Sequence, residues 1–78
     1  MTRPSVLITG GARRIGAAIS RAFGEAGWHV VIHFGRSHAE AEALASDLPS
    51  GETIHCDLSD GDAATSMVTA LAERLEDW

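Results

Sequence analysis

The chain contains no tyrosine, and all six of its basic residues are arginine, so it has no lysine either. A single cysteine, Cys56, excludes a disulfide framework and any paired-cysteine zinc pattern. The apolar run Val6–Ile8 is far too short for the core of a secretory leader, and no stretch reaches the ~20 apolar residues that cross a bilayer. A cytoplasmic protein is expected. Repeats, linkers and low-complexity segments are also missing, so residues 1–78 read as one small domain or part of a larger one. A chain of this length buries only about 60% of the surface it exposes when unfolded, and its core is correspondingly marginal.

The net charge of −5 is unevenly spread. Up to Arg36 the chain carries five arginines against Glu25 alone; beyond it Arg74 stands against ten acids. An acidic whole argues against a nucleic-acid or membrane-surface partner. A local basic patch on such a body suits a small anionic ligand.

The order of elements follows from apolar spacing. Ser5–Thr9 is a short β-rich run bounded by Pro4 and Gly10, which predicts a strand. Arg14–Ala26 has helical spacing, with Ile15, Ala18, Ile19, Ala22, Phe23 and Ala26 as its apolar stripe and Gly27 as its stop. Trp28–Phe34 is apolar nearly throughout, as a strand covered on both faces should be. Ser37 and Glu40 match a capping box for a helix whose stripe is Ala41, Leu44, Ala45 and Leu48, broken by Pro49, Ser50 and Gly51. Glu52–Leu58 predicts a third strand. Ser59 with Asp62 then caps a third helix with Ala64, Met67, Val68, Leu71 and Leu75 inward. Alternating strands and helices imply an α/β fold, a Rossmann-like βαβαβα half with a three-stranded parallel sheet in the order 3-2-1.

A strand, a glycine-rich turn and a helix in succession form an anion site, because the first helical turn has unpaired N–H groups and the helix dipole favours negative charge there. In "ITGGARRIGAAI", Gly10 turns the chain off the strand, and Gly16 permits close packing of helix on sheet or close approach of a pyrophosphate. The second strand decides which dinucleotide is expected. An NAD site places an acid near that strand's end for the ribose 2′-hydroxyl. Here the segment reads His33-Phe34-Gly35-Arg36-Ser37, and the first acid is Glu40, inside the helix. Arg36 and Ser37 suit a phosphate, a forked cation beside a hydroxyl. Arg14 can approach from the mouth of the first helix, with Arg13 as a further candidate. Together they point to NADP. One charge-assisted bond contributes roughly 1.5–3 kcal/mol, or about one to two decades of preference over NAD.

Asp57 sits at the carboxyl edge of the third strand, where it either accepts a hydrogen bond from an adenine amino group, with Leu58 against the ring, or caps the following turn. His33 either lines the cofactor edge or is structural. His29, His33, His38 and His55 have no metal-ligand spacing, so no metal site is expected.

Three stretches resemble the short-chain dehydrogenase/reductases. Thr9–Gly16, "TGGARRIG", is similar to their T-G-x-x-x-G-x-G motif, with Arg14 in place of the middle glycine, a change typical of the pteridine-reductase-like branch that favours NADPH. "HFGRS", His33–Ser37, resembles that branch's H-Y-H-R-S, and "CDLS", Cys56–Ser59, resembles its A-D-L-S. The resemblance implies that Arg14, Arg36 and Ser37 hold the 2′-phosphate, that Gly10, Ile15 and Gly16 border the pyrophosphate, and that Asp57 and Leu58 meet adenine. Phe34 stands where the branch has tyrosine and Gly35 where it has histidine, which removes one possible cofactor contact.

The resemblance also implies hydride transfer between NADPH and a carbonyl or imine, pterin-like substrate. The family's Tyr-x-x-x-Lys pair cannot exist in these residues, so the chain supplies no catalytic residue of that kind and should be inactive by itself. What is present corresponds to the N-terminal, cofactor-binding part of a doubly wound fold. Without a fourth strand, one edge of the first strand is open, and association with another copy through it, or in a full-length enzyme, is expected. A non-catalytic NADP-binding module, or a subunit completed by a partner chain, remains a second reading. A flavodoxin-like interaction domain without a ligand is disfavoured by Arg14 and Arg36 together.

Overall fold

A computed structural model describes residues 3–10, 14–75 and 78. Its element order is β1 (Ser5–Ile8), α1 (Arg14–Glu25), β2 (His29–Phe34), α2 (His38–Asp47), β3 (Gly51–His55) and α3 (Gly61–Arg74). The three strands form one parallel sheet with β2 in the middle. Ser5 pairs with His29 and Ile8 with Ile32; on the other side Val30 pairs with Gly51 and Phe34 with His55.

Alternation along β2 builds a core on each face of the sheet. Val30, Ile32 and Phe34 point to the side covered by α1 and α2, where Ile8, Ala41 and Leu44 join them. Val31 points to the other side and packs with Cys56, Met67 and Leu71 beneath α3. All of β2 after His29 is buried, which accounts for its unbroken apolar character. The inward stripes expected for α2 and α3 are the ones used, except that Val68 is exposed.

Helix α1 uses a different face from the one its apolar spacing predicts. Ser20 and Gly24 are its buried residues, and Ala17 and Phe23 pack against the core. Ile15 is 76% exposed and Ile19 41% exposed, and Ala18, Ala22 and Ala26 are exposed as well. The reason is proximity. Small residues let the helix backbone lie close: a Cβ at Gly24 would sit 2.8 Å from Leu48 Cδ2. Arg21 reaches Asp47 of α2 at 3.4 Å, and β1 has no second partner strand among the described residues. On the opposite face of the sheet, Leu7, Val68, Leu71, Ala72 and Trp78 line an apolar groove beside the same strand.

The helix ends also differ in part. Gly27 stops α1 as expected, at φ +95°. Its N–H donates to Gly24 O and that of Trp28 to Phe23 O, and the Phe23 and Trp28 rings meet edge to face at 5.0 Å, the Schellman arrangement with its apolar contact. At α2, Ser37 is the N-cap, but its side chain makes no cap hydrogen bond, so the serine half of the capping box does not form. At α3 the cap is Asp60, not Ser59: the Asp60 carboxylate accepts from the N–H groups of Asp62 and Ala63. Ser59 is already committed to Asp57. No described helix is long and apolar enough to cross a membrane.

Candidate functional site

Parallel strands deliver their following loops to one edge of the sheet, so residues after β1, β2 and β3 meet there. Gly10 leaves β1 at φ +62°, a left-handed conformation that glycine adopts without penalty. A Cβ at Gly10 or at Gly35 would meet no atom within 4 Å, so both backbones border open space. Gly11, Ala12 and Arg13 lie outside the described residues.

Arg14 begins α1 at φ +51°, the only positive-φ residue other than glycine among those described. For a residue with a Cβ this conformation costs about 1–2 kcal/mol. The guanidinium therefore occupies a position whose backbone favours glycine. Strain of this kind concentrates at ligand-binding sites. Arg14 and Arg36 are both exposed, and they follow adjacent strands on the same edge.

Asp57 takes the turn role left open by its sequence. Its Oδ1 accepts from the Ser59 N–H at 2.9 Å and from the Ser59 hydroxyl at 2.7 Å. These two bonds, helped by the nearby charges of Arg36 and His55, hold the carboxyl below its usual range although it is fully exposed. Arg36 thus lies within electrostatic reach of Asp57.

His33 is 4% exposed, and both ring nitrogens are engaged inside the protein. Nδ1 accepts from the Gly10 N–H at 3.1 Å, and Nε2 lies 2.8 Å from the Cys56 carbonyl. Phe34 is a core residue whose ring contacts His38 and His55, each at 5.3 Å between centroids. Ile15 and Leu58, by contrast, are two of the five exposed large apolar residues among those described, and both stand at this edge. His55 was not singled out by its sequence context. It ends β3, lies 3.1 Å by Nε2 from the Gly35 carbonyl, and acts on Asp57. Its place at the carboxyl end of a strand was the available signal. No cluster of metal-binding side chains occurs among the described residues.

The family model for short chain dehydrogenases matches residues 4–77. The chain belongs to the short-chain dehydrogenase family. Pteridine reductase 1 of Leishmania tarentolae is 40% identical to it over 63 residues, which are 74% of this chain and 22% of that protein. Among solved structures, FolM alternative dihydrofolate reductase 1 from Brucella suis, in complex with NADP, superposes with a TM-score of 0.79 at 36% identity, over 94% of this chain and 30% of that one. A metagenomic short-chain oxidoreductase in complex with NADP gives a TM-score of 0.78 at 30% identity, over 91% of this chain and 34% of that one. This short-chain dehydrogenase segment spans about a quarter of the length of the curated relatives it matches.

Proposed function

We propose that this chain is the NADP(H)-binding portion of an oxidoreductase that transfers a hydride between NADPH and a carbonyl or imine, with a pterin-like compound as the substrate class. The observation that carries the reading is Arg14. A cation kept in a left-handed conformation, where glycine would be easier, is the kind of strain that ligand sites hold, and an anionic ligand would offset it. The chemistry of the edge fits the cofactor. Open space borders Gly10 and Gly35, two cations follow adjacent strands, and the apolar side chains of Ile15 and Leu58 are uncovered.

In this reading Arg14, Arg36 and Ser37 hold the 2′-phosphate, with Arg13 as a further cation. Gly10, Ile15 and Gly16 border the pyrophosphate, and Leu58 meets the adenine face beside Asp57. His33 and Phe34 act from beneath the surface, since one is fully hydrogen-bonded internally and the other packs in the core. Bound nicotinamide supplies the hydride chemistry; these residues bind and orient it. The residues that act on the substrate are expected outside this chain. A cytoplasmic location goes with this reading.

The open edge of β1, with the Leu7–Trp78 groove beside it and the exposed Ile15 and Ile19 on α1, supports pairing with another chain or segment. The same features leave room for a second reading, a non-catalytic NADP-binding subunit completed by a partner. Parallel titration with NADPH and NADH, followed by protein fluorescence, tests the proposal. NADPH should bind at least about tenfold more tightly. Equal affinities would overturn the phosphate assignment.

A further inference from the structure

The hydrogen-bond ladder of the sheet stops short of the loops. The β1–β2 register ends at Ile8 with Ile32, and the β2–β3 register at Phe34 with His55. Past these pairs the Cys56 N–H still donates to the Phe34 carbonyl, but the Gly10 N–H and the Cys56 carbonyl turn to a side chain. The His33 imidazole meets both of them. Because the backbone N–H of Gly10 can only donate, Nδ1 must offer its lone pair; because the Cys56 carbonyl can only accept, Nε2 must carry the proton. One ring in one tautomer thus spans from the start of the glycine turn to the residue before Asp57.

We propose that His33 is a positioning residue for nucleotide binding, setting the glycine turn after β1 relative to the adenine end of the site after β3. The inference rests on the NADP reading above. It assigns the Gly10 N–H to His33, so that this amide orients the turn and is not one of the donors facing a phosphate. An apolar side chain at this position would fill the space beneath α3 but leave both backbone groups unmet.

Three variants of the full chain separate positioning from simple filling. His33→Asn keeps an acceptor on Cγ, where Nδ1 stood. His33→Gln places its amide farther out, near the Cys56 carbonyl, and gives up the Gly10 acceptor. His33→Leu removes both partners. In the unsubstituted chain, nitrogen-15 spectra should show the Nε2–H tautomer at His33 and a slowly exchanging Gly10 amide. NADPH affinity should fall about tenfold in His33→Gln and His33→Leu and stay within about threefold in His33→Asn, with NADH affinity falling in parallel so that the preference set by the arginines is kept. Gly10 exchange should follow the same order without ligand. Should His33→Leu fail to fold, the contrast between Asn and Gln carries the test.

Equal NADPH affinity and equal Gly10 exchange in the Asn and Gln variants would overturn the positioning role while leaving the NADP reading intact. A ring protonated on Nδ1 would do the same. If the unsubstituted chain, folded and with the expected tautomer, binds neither nucleotide, the NADP reading fails and the inference falls with it.

Discussion

The Arg74 guanidinium meets Glu52 Oε2 at 2.9 Å, while His29 Nε2 stands 2.8 Å from the other carboxylate oxygen and His29 Nδ1 lies 2.7 Å from the Ser50 hydroxyl. The last turn of α3 is thereby fastened to the ends of β2 and β3 opposite the ligand edge. Partial burial raises the Glu52 carboxyl, but the hydrogen bonds and charges of His29 and Arg74 outweigh it and bring the group below its usual value of 4.5. The folded state therefore takes up this proton less readily than the unfolded state. Its contribution to stability is complete above about pH 4.5 and is lost as pH falls through the lower folded value. Glu52→Gln should cost about 1 kcal/mol in urea denaturation at pH 7, and the gap to the unsubstituted chain should close in acid.

Replacing Arg36 separates affinity from selectivity. Arg36→Ala should weaken NADPH by about one to two decades and leave NADH within about twofold, as read by fluorescence titration. The same substitution removes a positive charge near Asp57, so the Asp57 carboxyl should titrate closer to its ordinary value in carbon-detected NMR.

Arg14→Gly should act in opposite directions on stability and binding. Relief of the left-handed backbone should raise the unfolding free energy by about 1 kcal/mol. NADPH affinity should fall at the same time by about tenfold. A stabilised variant with undiminished NADPH affinity would remove the argument that the strain serves the ligand.

The cap of α3 offers a check on one corrected expectation. Asp60→Ala should cost about 1 kcal/mol, because two N–H groups of the first turn lose their acceptor. Ser59→Ala should leave helix stability nearly unchanged and instead raise the Asp57 titration point, since both Ser59 contacts run to that carboxyl. Circular dichroism on urea titration reads the first effect and NMR the second.

Self-association should depend on the apolar flanks of β1. In sedimentation the chain should form dimers or larger species at micromolar concentration, and Ile19→Lys together with Val68→Lys should shift it toward monomer. A stable monomer in the unsubstituted chain would count against an exposed pairing edge.

Much of the fold was legible because periodicity and burial agree where packing is loose enough for large side chains. The stripes of Ala41 and Leu44 in α2 and of Met67 and Leu71 in α3 are examples, as is the continuous burial of β2. Helix α1 broke the agreement. Its isoleucines, Ile15 and Ile19, stand in one stripe and its two glycines, Gly16 and Gly24, stand with Ala17 and Ser20 in the neighbouring one, and close approach selected the glycine stripe. The cap of α3 was misassigned because Ser59 and Asp60 both offer an oxygen near the helix start, and composition does not choose between them. At the candidate site, the placing of Gly10, Arg14 and Arg36 at one edge of the sheet could be read from spacing. The bonds of His33 could not, since its partners are backbone groups and carry no sequence signal.

The left-handed conformation at position 14 also bears on how such a chain can change. Exchange of Arg14 for glycine discards a charge and relaxes the backbone in one move, a downhill path in conformational energy. The reverse exchange must recover binding while accepting torsional cost. Under the NADP reading, discrimination between the two dinucleotides is more readily surrendered than acquired at this position. A laboratory selection for NADH use should find substitutions there early.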